Sequence, residues 1–511
     1  MAIANFFNRA VQAVGQALPL VDRETLAQKL NDFIIAIVFD EASLAKPNTN
    51  SMLSLAVNLA SRFYPRISIV YDGFSDKGQA LKQELETMAL SINPSIELVP
   101  VGHHVFAAIC VGEPNLQAKH KVYVNAGSWN IEVNVGRPAS TITQTGYNPF
   151  SATATVCFGM DEIFRAVFND EISPDSAPAN YCLSLLDYSQ NLAHETNLPV
   201  VNLKDVSLVG LGAVGSGLVW CLAKLEGLTG HITLIDHETV ELSNLQRYIL
   251  TNQQSVQRHK TIIAEEYLRR EGLEISFYPE NRFGEYVSEY RPNCMFDVIA
   301  VSVDNAACRF AVQSVLPRVV LNAWTAENGL LGVSRHWFDS NQACLACLYL
   351  STTQQKSQLE QLVEITGFEP TRIIELITNQ VCLDNQALQE IASNKNYPFD
   401  VVASFEGNTI NEFYTKAVCG GVLINFIDQV IEPEAIVPLA HQSVLSGALL
   451  AAEIVKESLG LLNKEQPVET RIEVLKRPKE YLNFRRNKTQ NPKCICQDSD
   501  YLFAYSQKHN L

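Results

Sequence analysis

The run VSLVGLGAVGSGLVWCLAKL, Val206–Leu225, decides how the chain is read. Its strand-like start, Val206–Val209, leads into Gly210, Gly212 and Gly215, and a helix-compatible stretch continues to Leu225. A GxGxxG at a strand-to-helix turn lets the backbone bend sharply and approach a phosphate, whose charge meets the unpaired N–H groups of the first helical turn. Asp236 closes the next apolar run, 21 residues after Gly215, where a carboxylate can accept hydrogen bonds from ribose hydroxyls. On these residues alone NAD fits as well as ATP.

The residues that follow separate the two. In DHETVELSNLQRYIL, from Asp236, Asn244 and Arg247 come within eleven residues of the ribose carboxylate, and Lys260 stands thirteen beyond Arg247. Hydride transfer needs no such pair of cations. A triphosphate does, because charge develops on the transferring phosphorus and on leaving pyrophosphate. Asp304, in VIAVSVDN, stands at a strand end where a carboxylate can hold Mg2+ over the same phosphates.

Working outward, the chain has 511 residues, enough for more than one domain, and its 47% hydrophobic and 18% charged composition is that of a globular protein with large cores. The balance of 39 basic against 55 acidic residues, −16 at pH 7, argues against a general nucleic-acid binder. No apolar run is long enough for a bilayer: Ser443–Ala452 stops at Glu453. Arg9 interrupts what would have to be the apolar core of a signal peptide. Twelve scattered cysteines, several in apolar runs, suit reduced thiols and a cytoplasmic setting, with no membrane partner.

Two lobes share one rhythm of strand-like runs. The first has 33–39, 67–71, 96–101, 106–111 and 122–135; the second has 206–211, 232–235, 275–278, 298–303 and 319–333. Helix-compatible stretches, 52–63 and 216–225, separate the first pair of runs in each, as parallel βαβ units require. VNAGSWNIEVNVGR from Val124 parallels LNAWTAENGLLGVSR from Leu321, and each lobe ends in a proline and a small-residue helix, after Asn148 and after Val437. The expected fold class is therefore α/β, with two related Rossmann-like lobes at 1–190 and 191–511. Residues 169–197 read as their connection, and 351–400 as a polar, helix-compatible insertion in the second lobe.

GLGAVG, LIDHETVELSNLQR, Lys260, SVDNAACR and a CxxC at Cys344 together make lobe two resemble the adenylating domain of the ThiF, MoeB and ubiquitin-activating family. The resemblance implies that Asp236 holds the ribose, that Asn244, Arg247 and Lys260 contact the phosphates, and that Asp304 positions Mg2+ for adenylation of a carrier protein's C-terminal carboxylate. Glu238 stands where the family usually has Asp. Lobe one, whose corresponding loop EASLAKPNTNS lacks glycine, resembles the inactive half of a pseudo-symmetric activating enzyme. FNRAV around Arg9 is similar to the N-terminal helix that sends an arginine to the partner lobe's site in that family.

Cys344 and Cys347, with Cys494 and Cys496 in NPKCICQD, supply four thiolates able to complete a structural Zn2+ site, although the second pair is CxC and the family's is CxxC. Cys382, in TNQVCLDNQ, lies in the insertion where the family carries its nucleophile, and a thiolate there can capture an acyl adenylate. Cys308 and Cys419 read as packing residues. The resemblance thus implies an ATP-dependent activating enzyme for a ubiquitin-like modifier, passing it to a conjugating enzyme, similar to bacterial Bil-type systems linked to phage defence. The alternatives are a sulfur-carrier adenylyltransferase without a catalytic cysteine, an NAD-dependent oxidoreductase, and an inactive scaffold. A homo-oligomer remains open to such a chain.

Overall fold

The computed structural model describes residues 7–100, 104–138, 141–142, 146–173, 177–193, 197–350, 358–414, 437–489, 491 and 494–510. The chain forms two compact units, Met1–Leu350 with Pro438–Leu511, and Ser351–Val437. The inserted unit therefore runs to Val437, past the expected end at 400, and Cys419 lies outside the described residues.

In the larger unit, helix α1 (Phe7–Ala17) precedes β1 (Ile35–Asp40), α2 (Thr49–Phe63), β2 (Arg66–Asp72), β3 (Glu97–Leu98), β4 (Val105–Val111), β5 (Ala118–Gly127), β6 (Asn130–Val135), α3 (Pro149–Val167) and β7 (Asn180–Ser184). The second lobe supplies β8 (Asn202–Val209), α4 (Ala213–Lys224), β9 (Thr229–Ile235), α5 (Lys260–Leu268), β10 (Leu273–Tyr278), β11 (Val298–Val301), α6 (Ala306–Ser314), β12 (Val319–Thr325), β13 (Leu330–His336), α7 (Ala440–Ser458), β14 (Glu469–Glu473) and β15 (Asn483–Phe484). The sheet orders are β3-β2-β1-β4-β5-β6-β7 and β10-β9-β8-β11-β12-β13-β14-β15. The two are the same through seven strands, and each turns from parallel to antiparallel at its fifth and sixth, the hairpins β5–β6 and β12–β13. This common order is the strongest sign that the lobes are related, and it bears out the expected pair of parallel-dominated α/β lobes.

Two expectations need correction. The run 96–101 yields only the two-residue β3 at the sheet edge, where the Glu97 and Val99 N–H groups donate to the Pro65 and Ile67 carbonyls. The segment 169–197 is not merely a connection: Asn180–Ser184 pairs antiparallel with β6 and closes the first sheet.

The lobes pack through helices. Asn148 caps α3, accepting from the N–H groups of Phe150 and Ser151, with Pro149 at the first helical position. Helix α3 lies against α7, which also packs on α4. The last contact needs glycine: a Cβ on Gly447 would stand 2.2 Å from the Val214 carbonyl oxygen, and one on Gly217 would stand 2.9 Å from Val444 Cα. Helix α7 is buried from Ala440 to Lys456. Within it Glu453 pairs with Arg335 and Lys456 and accepts from Tyr188, a residue of the first lobe; although burial opposes its charge, those cations hold it down to about 2.

The smaller unit has its own core. Helices over Gln358–Thr366, Pro370–Thr378 and Asn385–Lys395 collect Leu362, Ile373, Leu388, Ile391 and Phe413. Polar residues cover it, which is why the segment reads as polar along the chain. No helix among the described residues is long and apolar enough to cross a membrane.

Across the lobe contact, His441 Nε2 of α7 is 3.2 Å from Asp161 Oδ1 of α3, with both residues buried. Burial pushes His441 down to about 3, so its ring is neutral at pH 7, and pushes Asp161 well above its ordinary 3.8. The unfolded histidine binds a proton below about 6.5 that the folded one does not bind until about 3. In Asp161→Asn the unfolded chain alone binds that proton. Urea unfolding should show this histidine costing the variant stability as pH falls below 6.5, by up to about 1.4 kcal/mol per pH unit.

Candidate nucleotide site

The strand order of the second sheet reverses between the parallel neighbours β8 and β11, and an open crevice forms outside the carboxyl ends of such strands. Gly210 begins the turn there with φ +90°, a conformation that favours glycine, and its N–H donates to the Ile235 carbonyl at 3.0 Å. A Cβ on Gly215 would lie 2.4 Å from the Gly210 carbonyl oxygen, so α4 can start this close to the strand end only with glycine. Ser302, just past β11, donates from Oγ to the same carbonyl at 2.6 Å and ties the turn to the neighbouring strand.

Asp236 follows β9 at the same edge. Its carboxylate accepts from the N–H of Leu211 at 2.6 Å and of Glu238 at 2.9 Å, which fixes it beside the glycine turn while it stays half-buried. Lys260 opens α5 and is buried; Nζ pairs with Glu238 and donates to Tyr248 Oη at 3.2 Å. Burial alone would push this ammonium down, but Tyr248, Asp236 and Glu238 outweigh it and hold it above its ordinary value, so it is fully charged at neutral pH. Glu238, where the family usually has Asp, is thus the carboxylate that holds the lysine.

Asn244 sits in the 3-10 turn Leu242–Gln246, its Oδ1 accepting from the Glu241 N–H at 2.9 Å. Arg247 follows, half-buried and stacked 5.4 Å from the Tyr248 ring, and Lys260 stands 5.0 Å from the same ring. Asp304 is exposed in the loop after β11, and Asn305 beside it caps α6 by accepting from the Cys308 N–H. The crevice therefore gathers Gly210, Gly212, Gly215, Asp236 and Asp304 at strand ends, with Lys260 and Arg247 joined through Tyr248. Arg9 lies on α1, which packs against the turn carrying Asn244; it is buried, and Nη1 donates to Gln12 at 2.7 Å.

Sequence reasoning missed Tyr248, which in QRYIL is indistinguishable from a core aromatic. It also gave Arg309 no role. That residue is buried, donates to the Val303 carbonyl and to Asn322 Oδ1 at 3.2 Å, and stacks on Tyr349, so it shapes the strand end before Asp304.

The corresponding edge of lobe one is filled by its own side chains. Asp40 accepts from the N–H groups of Ser43 and Glu113, and Asp72 accepts from Asn115, so carboxylates occupy loop donors that a phosphate would need.

The thiols of Cys344, Cys347, Cys494 and Cys496 converge. Five of their sulfur–sulfur separations run from 3.4 to 3.7 Å. Four thiolates about 2.3 Å from a tetrahedral zinc would stand about 3.8 Å apart, so the donor set fits that ion and the CxC spacing is no obstacle. Cys382, in the smaller unit, is exposed and bridges Thr409 as an antiparallel pair. Cys308 is partly buried and burial raises it to about 11, in keeping with a packing role.

A family model described as the ThiF family matches residues 188–496. The chain belongs to the ThiF family. A second model, described as Prokaryotic E2 family C, matches 38–169, within the first lobe. An uncharacterized protein of Sinorhizobium fredii, y4jF, is 34% identical over 516 residues, covering 100% of this chain and 98% of the relative. The adenylyltransferase and sulfurtransferase UBA4 of Candida albicans is 29% identical over 166 residues, 30% of this chain and 35% of that one. Among solved structures, Escherichia coli MccB with ATP aligns at 15% identity and a TM-score of 0.32, over 57% of this chain and 65% of that one. The ThiF match spans every nucleotide-side residue named above, from Gly210 to Asp304, as well as the four clustered cysteines.

Both cysteines of the E2-matched region, Cys110 and Cys157, are buried, and burial raises their thiols, Cys110 to about 12. Brief alkylation of the native protein, followed by peptide mapping, should label Cys382 ahead of Cys110, Cys157 and Cys221. Equal labelling would contradict this burial.

Proposed function

We propose that the chain is an ATP-dependent activating enzyme that adenylates the C-terminal carboxylate of a ubiquitin-like protein and then holds it as a thioester. The observation that carries this is the gathering of Asp236, Arg247, Lys260 and Asp304 around a glycine turn at the switch point of a ThiF-family sheet. Asp236 accepts the ribose hydroxyls, and Asn244, Arg247 and Lys260 meet the phosphates. Arg9, on the helix packed against the Asn244 turn, adds a cation from lobe one. Asp304 would hold Mg2+, which when bound neutralises phosphate charge.

In the first step a carboxylate oxygen of the modifier attacks the α-phosphorus, the bond to the β-phosphate oxygen breaks, and pyrophosphate leaves. Arg247 and Lys260 stabilise that leaving charge; Lys260 can do so because its Glu238 and Tyr248 partners keep it charged. In the second step the Cys382 thiolate attacks the acyl carbon and AMP leaves. Exposure of Cys382, set against the buried thiols in the E2-matched lobe, supports the choice of nucleophile. A separate conjugating enzyme would then accept the acyl group. Lobe one's role is mainly structural in this reading, and its repeat of lobe two's strand order supports taking the chain as a pseudo-dimer. Reduced thiols suit a cytoplasmic enzyme, and a bacterial Bil-type conjugation system linked to phage defence is the setting we favour.

A second reading, adenylation for sulfur transfer without a catalytic cysteine, is supported by the similarity to the Candida adenylyltransferase and sulfurtransferase. Incubation with ATP, Mg2+ and a ubiquitin-like protein encoded beside the gene separates the two, read by pyrophosphate release and non-reducing intact mass. Asp304→Ala and Lys260→Ala should lower pyrophosphate release by about 100-fold or more. Cys382→Ala should keep adenylation and lose a thiol-labile adduct. Adenylation with no adduct at any cysteine favours the sulfur-carrier reading.

The four clustered cysteines would hold a structural Zn2+ that ties the chain's last segment to lobe two. Elemental analysis should find about one zinc per chain, and Cys347→Ser should lose it together with thermal stability.

A further inference from the structure

We propose that Arg62, a first-lobe residue outside the nucleotide crevice, is a positioning residue that sets the loop carrying Asn244, Arg247 and Tyr248. The proposal rests on the nucleotide reading above and adds to it a contribution of lobe one to phosphate binding.

Arg62 lies near the end of α2 and is 1% exposed. Its guanidinium crosses to lobe two, where Nη1 donates to the Leu245 carbonyl and Nη2 donates to the carbonyls of Thr251 at 2.6 Å and Ile249 at 3.3 Å. Nε donates to Asn58 Oδ1 at 2.7 Å, and Asn58, one turn earlier, donates from Nδ2 to Ile249 at 3.0 Å. Two buried side chains of one helix thus hold three carbonyls within seven residues of loop. Among the described residues Arg62 forms no ion pair, and burial lowers it to about 9, so it remains a cation at pH 7.

Burying a cation without a carboxylate is costly, and an apolar side chain of similar volume would fill the space at less cost. What an apolar side chain could not do is satisfy three converging carbonyls, which only a planar fork reaches at once. The loop depends on that fork. It contains one short 3-10 turn and otherwise closes on itself through Arg247 N–H and Tyr248 N–H to the Asn244 carbonyl and Thr251 N–H to the Tyr248 carbonyl. Leu245 and Ile249 are buried on the loop's inner side, while the Asn244 and Arg247 side chains stay half-exposed. Holding the inner carbonyls therefore fixes where the outer side chains stand. A second tie, Gln253 Nε2 to the Ile92 carbonyl at 3.0 Å, follows where the loop leaves the interface.

The test uses the full chain, with Mg·ATP binding by calorimetry and hydrogen exchange of residues 242–252 without ligand. Arg62→Met should weaken ATP about tenfold and raise loop exchange while far-UV dichroism stays that of wild type. Arg62→Lys, which keeps charge but loses the fork, should fall between. Arg62→Met should also make the cost of Arg247→Ala much smaller than in wild type, because an arginine already displaced has little left to lose. A purely structural role would leave the two effects additive. Arg62→Met binding ATP within about twofold of wild type, unchanged loop exchange, or additivity with Arg247→Ala would each overturn the proposal. Should Arg62→Met not fold, Arg62→Lys and Asn58→Ala carry the same comparisons. If wild type binds no ATP, or Lys260→Ala binds it equally well, the nucleotide reading fails instead, and the ligand-free exchange still decides whether Arg62 orders the loop.

Discussion

A helix buried along nearly its whole length can carry charge only where each charge meets a partner, and α7 is built under that constraint. Its small residues admit α4 at the distance of a glycine contact, and its one buried carboxylate, Glu453, is neutralised by Arg335 from its own sheet, Lys456 one turn on, and a tyrosine from lobe one. These contacts make α7 common to both lobes. It covers β12 and β13 itself, and α3 and α4 each rest one face on it. Removing one member of such a network strands a buried charge, so the network makes the relative placement of the lobes specific as well as stable.

That placement has consequences at the crevice. The cations there are held in two different ways. Lys260 is buried against Glu238 and Tyr248, and its charge is secured before any ligand arrives. Arg247 is half-exposed, with a 3.5 Å contact to the Ser243 carbonyl and a stacked tyrosine, so it is available to a ligand. A fixed cation and an available one, joined by one aromatic ring, suit a substrate whose charge moves from a bound chain to a leaving group. Lobe one's own strand-end loops offer a phosphate little, since Asp40 and Asp72 occupy the N–H groups of Ser43, Glu113 and Asn115. Its contribution passes instead through α1 and α2 to the loop of its neighbour.

Much of this was legible along the chain. The glycine turn, Asp236, Lys260 and Asp304 could be picked out because each lies at a strand end or helix start that the local pattern marks, and Arg247 by its spacing from Asp236 and Lys260. The repeated strand order was legible for the same reason: the apolar runs recur in one order. What misled was the periphery. The run 96–101 looked like a full strand, but at the sheet edge only Glu97 and Val99, among the described residues, donate to the neighbouring chain segment. The inserted unit looked like fifty polar residues because its core positions, Ile373, Leu388 and Phe413 among them, are spread across separate helices that no single window contains.

The sequence by itself determined the places where the backbone must do something unusual or where charge must face a phosphate. Those demands are local, and a glycine at positive φ or a carboxylate at a strand end answers to its immediate neighbours. Only the tertiary structure decided which distant groups meet. Arg62 reaches carbonyls nearly two hundred residues away, and a CxxC and a CxC 150 residues apart close into one set of four thiols. Such pairings depend on how helices pack and sheets register. A buried polar group takes whichever partner the packing brings to it, and the residues adjacent to it in sequence carry no record of that choice.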